Sequence, residues 1–112
     1  ALPVEFNKFG ETEGLTRAAE EALFRVAHEA IANAINHASA EQVSMRLEGD
    51  SCCVTLTIHD NGHGFEVNHV NADPNRGLGL RNMKERIEAE GGKFYLTSSP
   101  SGTTIIATFS LH

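Results

Sequence analysis

The stretch Val54-Thr55-Leu56-Thr57-Ile58-His59-Asp60-Asn61-Gly62-His63-Gly64 changes character half-way along. Val54, Leu56 and Ile58 alternate with Thr55 and Thr57, the period of two that sets apolar side chains on one face of a strand. The alternation stops at a carboxylate followed by two glycines. A carboxylate at a strand end, with glycines that permit close backbone approach, suits a planar ligand carrying an exocyclic amine, because the carboxylate accepts a hydrogen bond from that amine. Residues 60–65 also fit a tight Asn-Gly turn into a loop.

The pattern extends in both directions. Upstream, Val43, Met45 and Leu47 alternate with Ser44, Arg46 and Glu48, and Gly49-Asp50 supplies a turn, so residues 43–58 read as a β-hairpin. Before it, Leu23, Val26, Ala27, Ala30, Ile31 and Ala34 recur at spacings of three and four, which predicts an amphipathic helix over residues 16–38 with Thr16 as N-cap. Residues 2–9 alternate as an edge strand would, with Val4, Phe6 and the stem of Lys8 against Glu5 and Asn7.

Downstream, residues 60–76 are rich in Gly, Asn, Asp and His and read as a long loop, a feature uncommon in compact domains unless it serves a function. A second helix from about residue 78 to 89 places Leu80, Met83 and Ile87 on one side and stops at Gly91-Gly92. Strands over residues 93–98 and 104–111, joined by Ser99-Pro100-Ser101-Gly102, close the chain. This order implies an α+β fold: a two-layer α/β sandwich with a mostly antiparallel mixed sheet and helices on one face.

The 112 residues suit one domain spanning the whole chain, with enough buried surface for a core that needs neither disulfides nor a structural metal. Nine Lys and Arg against fifteen Asp and Glu give a formal net charge of −6, which argues against a nucleic-acid partner. The basic cluster of residues 76–86 contains Glu85 and is followed by Glu88 and Glu90. A phosphorylated ligand would need a divalent cation or backbone amides to offset the acidic balance. The apolar runs are a few residues long, far short of the roughly 20 that span a bilayer, so no direct membrane contact is expected. Adjacent Cys52 and Cys53 point to opposite faces of an extended segment and read as small hydrophobes. His59, His63 and His69 are spaced by four and six without helical register, a poor basis for a metal site.

Two further motifs carry chemistry. Glu29, Asn33 and His37 are four apart on the first helix and form one polar row beside the apolar stripe, where they could look into a cleft or simply face solvent. Gly77-Leu78-Gly79-Leu80 opens the second helix, where free N–H groups and the positive end of the dipole favour phosphate; the same glycines could serve as a flexible joint.

Taken in order, helix ExxxN, strand-end DxGxG and GxG-helix resemble the GHKL or Bergerat ATP-binding fold of histidine kinases, type II topoisomerases, Hsp90 chaperones and mismatch-repair ATPases. Residues 25–38 look like the N box of sensor histidine kinases of the nitrate-sensor and DesK type. Residues 60–64 look like their G1 box and residues 77–86 like their G2 box and following helix. The resemblance implies a domain that binds ATP with Mg²⁺. Asp60 would accept from the adenine amine, with Gly62 and Gly64 leaving room for the base. Asn33 would be the Mg²⁺ ligand, Glu29 would polarise the attacking group, and Gly77, Leu78, Gly79 and Leu80 would fold over the phosphates. His37 and Arg81 would be phosphate neighbours. His28, about 100° from Glu29 around the helix, is not in the slot of a phosphoacceptor.

The same resemblance implies a cytoplasmic catalytic domain of a longer, homodimeric kinase. Its phosphoacceptor histidine would sit on an upstream dimerisation domain and pass the phosphoryl group to a response regulator. Whether such a parent is anchored in the inner membrane stays open. Two departures stand out: Asn36 occupies a position where many members carry Lys, and residues 65–76 form a short lid without a clear F box. An anti-sigma-factor-type serine kinase and a non-catalytic adenine-nucleotide module on the same fold are the alternatives.

Overall fold

The computed structural model describes residues 3–36, 40–62 and 74–111. Strand β1 (Val4–Gly10) leads into helix α1 (Arg17–Asn36), followed by β2 (Val43–Gly49), β3 (Cys53–Asp60), α2 (Pro74–Ala89), β4 (Lys93–Ser99) and β5 (Gly102–Ser110). The strands form one sheet in the order β1-β2-β3-β5-β4. β1 runs parallel to β2, as a strand-helix-strand crossover requires, and the other three pairings are antiparallel. The expected α+β sandwich with a mixed, mostly antiparallel sheet is therefore the fold.

α1 starts where the sequence says it should. The Thr16 hydroxyl accepts from the Ala19 N–H at 3.1 Å, satisfying one of the donors that a helix N-terminus leaves free. Its apolar stripe, led by Leu23, Val26, Ala30 and Ala34, is buried against Leu56 and Ile58 of β3 and Ile105, Ala107 and Phe109 of β5. Leu80, Met83 and Ile87 of α2 complete that core. Val26 and Ile87 are fully buried, each contributing about 1.5–3 kcal/mol of transfer free energy. α2 ends in a Schellman motif: Gly92 N–H donates to the Ile87 carbonyl at 3.0 Å, Gly91 N–H donates to the Glu88 carbonyl at 3.0 Å, and Gly91 takes φ 86°.

One boundary differs from expectation. α2 begins at Pro74, so Gly77, Leu78, Gly79 and Leu80 lie inside its first two turns and not at its mouth. Proline lacks the N–H that a first helical turn would leave unpaired, and its fixed φ suits that position, which outweighs the helix cost of the two glycines. In a helix starting there, the free N–H groups end at Arg76, and the Gly77 and Gly79 amides both lie past them. Pro74 to Arg76 are thus helix, whereas they were expected to close the loop. The expectations on His37, His63, Gly64, His69 and the lid at residues 65–73 lie outside the described residues.

Among the described residues, no helix is long and apolar enough to cross a membrane.

Candidate functional site

Chain connectivity brings the candidate residues to one end of the sandwich. Val43, the first residue of β2, pairs with Asp60, the last of β3, so the C-terminal end of α1, which feeds β2, lies beside Asp60. Thr103, at the start of β5, pairs with Asp60 from the other side. α2 points the same way: Gly92, just past its C-terminus, sits against Phe109, which pairs with Val54 near the start of β3. Its N-terminal turns, with Gly77 to Leu80, therefore face the Asp60 end.

Asp60 is buried, at 9% exposure. Its Oδ1 accepts from the Gly62 N–H at 2.9 Å. Among the described residues Oδ2 has no protein donor. A buried carboxylate oxygen gains from a donor, so Oδ2 is the atom available to a further N–H. Gly62 is itself buried, which matches the close approach expected of it.

Glu29 and Asn33 are half-buried on α1, one residue from the fully or nearly buried Ala30 and Ala34, so the polar row does flank the apolar stripe. Glu29 lines a cleft of about 470 Å³ between α1 and α2, together with Phe24, Arg25 and His28 from α1 and Asn82, Met83 and Arg86 from α2. Arg81, the expected phosphate neighbour, is exposed and does not line it. Arg86 does, although the spacing argument had assigned it no role. Leu80 is buried in the core. His59 projects from the opposite sheet face, where its Nδ1 is 2.9 Å from the Thr104 hydroxyl.

Sequence reasoning gave no site role to two residues beside Asp60. Thr103 is 5% exposed and its hydroxyl lies 3.0 Å from that of Ser98, placing a buried hydroxyl across the ladder from the carboxylate. Asn61 accepts two backbone N–H groups from residues 41 and 42. A hydroxyl directly after a turn glycine is the available sequence signal for Thr103. Nothing local signals Asn61, whose partners are about twenty residues away in the chain.

A family profile described as "Histidine kinase-, DNA gyrase B-, and HSP90-like ATPase" matches residues 18–112. The chain belongs to this family. It is 40% identical over 106 residues to the sensor histidine kinase MctS of Rhizobium johnstonii, covering 95% of this chain and 23% of that protein. It is 37% identical over 99 residues to the signal transduction histidine-protein kinase/phosphatase DegS of Bacillus subtilis, covering 87% of this chain and 26% of that one. The chain thus spans about a quarter of the length of these relatives. Among solved structures, the Acinetobacter baumannii histidine kinase AdeS superposes with a TM-score of 0.75 at 22% identity, over 97% of this chain and 55% of that one. The fold is that of a histidine kinase ATPase domain, and the expected kinship with sensor histidine kinases holds.

The donor set can be tested against the groups the family implies. Asp60 offers adenine a buried acceptor, and Asn33 offers a cation a neutral carbonyl oxygen, a hard ligand suited to Mg²⁺. Asn33 stands in the last two turns of α1 and Asp60 beside that helix end, so the residues fit a nucleotide that carries its cation on the phosphates.

Proposed function

We propose that this domain binds ATP with Mg²⁺ and donates the γ-phosphoryl group to a histidine on the dimerisation domain of a two-component sensor kinase. The observation that carries the reading is the buried Asp60 carboxylate, whose Oδ2 has no donor among the described residues, at the end of the sandwich where the Glu29 and Asn33 helix terminates. The names of the relatives support a histidine acceptor over the serine-kinase alternative.

In this reading Asp60 accepts from the adenine amine and fixes the base, and the open α1–α2 cleft admits the acceptor side chain next to Glu29. The imidazole nitrogen lone pair attacks the γ-phosphorus as the bond to the β-bridging oxygen breaks and ADP leaves. The Glu29 carboxylate holds the proton on the other ring nitrogen, which favours the attacking tautomer. Asn33 would hold Mg²⁺, which supplies charge neutralisation for the phosphates. Arg25 and Arg86 line this cleft with Glu21 and Glu29, so its charges balance, and Arg25 is 3.6 Å from Glu21. The acceptor domain, the response regulator that takes the phosphoryl onward, the homodimeric parent and its cytoplasmic setting belong to the same proposal.

The test is Asp60→Asn, in which one acceptor oxygen becomes an NH₂ facing the adenine amine. ATP affinity should fall by about 1–3 kcal/mol, measured by titration calorimetry. Unchanged affinity would remove Asp60 from the site. Adding the parent's dimerisation helices and labelled ATP should yield an acid-labile phosphoramidate; acid-stable label would point to a hydroxyl acceptor.

A further inference from the structure

Asn61 follows Asp60, and its side chain grips the connection between α1 and β2. Its Oδ1 accepts from the Glu41 N–H at 2.9 Å and from the Gln42 N–H at 2.8 Å, while its own N–H donates to the Gln42 carbonyl at 3.2 Å. One residue earlier, the Ala40 N–H donates to the Ala34 carbonyl at 3.2 Å, tying that connection back to α1. A continuous line of hydrogen bonds therefore runs from the helix turn next to Asn33, through residues 40–42, to the residue next to Asp60.

We infer that Asn61 is a positioning residue that fixes the Asp60 end of β3 relative to the Asn33 end of α1. The inference rests on the nucleotide-binding reading above, in which the first takes the base and the second the phosphate end. Two halves held in register present a single preorganised site to a ligand that spans both, whereas a ligand touching one half gains nothing from the clamp. Asn61 is exposed, so water can replace its oxygen when it is removed and the fold survives the loss. A carboxylate can also make this clamp: at the other end of β3, one oxygen of Asp50 accepts the N–H groups of both Cys52 and Cys53.

The experiment compares Asn61→Ala and Asn61→Asp with the unmodified domain, titrating each with Mg-ATP and, separately, with adenosine. Asn61→Ala should weaken Mg-ATP binding about tenfold, adenosine binding should stay within about twofold, and Asn61→Asp should recover most of the ATP affinity. Equal losses for ATP and adenosine, no loss for ATP, or no recovery with Asp would overturn the inference. Should Asn61→Ala not fold, amide exchange at Glu41 and Gln42 in the unmodified domain decides. Mg-ATP should slow both amides and adenosine should not; indifference to Mg-ATP overturns the inference. A domain that binds neither ligand fails the functional reading itself, a result distinct from any of these.

Discussion

Asp50 and Asp60 stand at opposite ends of the same stretch of chain, one just before β3 and the other its last residue. Both use Oδ1 to accept a backbone N–H two residues onward, Asp50 from Cys52 at 2.7 Å and Asp60 from Gly62 at 2.9 Å. Local chemistry is therefore the same, an Asx turn at a strand terminus. Their surroundings are not. Asp50 is exposed and takes a second donor, Cys53 at 2.9 Å, into the same oxygen. Asp60 is buried between β2 and β5, and among the described residues its second oxygen has no donor. The same turn motif is thus exposed at one end of the strand and buried by distant parts of the chain at the other.

Gly102, at the start of β5, lies against the Asp60 backbone, and altering it should break the contrast most severely. Gly102 takes φ 146°, and a Cβ there would clash with the Asp60 carbonyl oxygen. Gly102→Ala must both adopt a backbone conformation that alanine resists and push β5 away from the Asp60 end of β3. A stability loss of about 2–4 kcal/mol in urea unfolding is expected. ATP affinity should fall with it, because displacing β5 disturbs the strand end that carries Asp60. A variant of native stability with unchanged ATP affinity would show that β5 does not hold Asp60 in place.

Next in size is the paired substitution. Asp60→Asn carries the binding loss given above, while Asp50→Asn should leave ATP affinity within about twofold, the two sites being at opposite ends of the strand and sharing no partner. Equal losses from both would mean that the two carboxylates act through strand stability alone and that burial does not set them apart.

How much of this was readable from residue order follows from where each signal resides. The α1 stripe, the hairpin and the Leu80, Met83, Ile87 face were legible because period and burial coincide in them. The Gly91-Gly92 stop was legible because only a left-handed residue ends a helix in that way. The start of α2 was misplaced because two glycines signalled a break more loudly than Pro74 signalled a beginning. At the site, Asp60 and the Glu29–Asn33 row were visible as local motifs, but Asn61, Thr103 and Arg86 were not. Their significance comes from Gln42, Asp60 and Glu29 respectively, partners that only the folded chain supplies.

The smallest expected effect concerns Asp50 alone. The backbone N–H groups of Cys53 and then Cys52 hold its carboxyl below the ordinary value of 3.8. With the folded-state pKa depressed, the native state binds this proton less readily than the unfolded chain does. Its contribution to stability is therefore present above the ordinary value and lost as the pH falls through the lowered one. Asp50→Asn keeps an oxygen that can accept both N–H groups but has no proton to take up in that range. Subtracting the urea midpoints of the two proteins cancels every carboxylate they share. The unmodified domain should hold a small advantage near neutral pH that disappears between about pH 5 and pH 2. A difference that stays constant across that range would mean the two backbone donors bind the protonated carboxyl as well as they bind the charged one. Asp50 would then be a spacer in the turn and no electrostatic counterpart to Asp60.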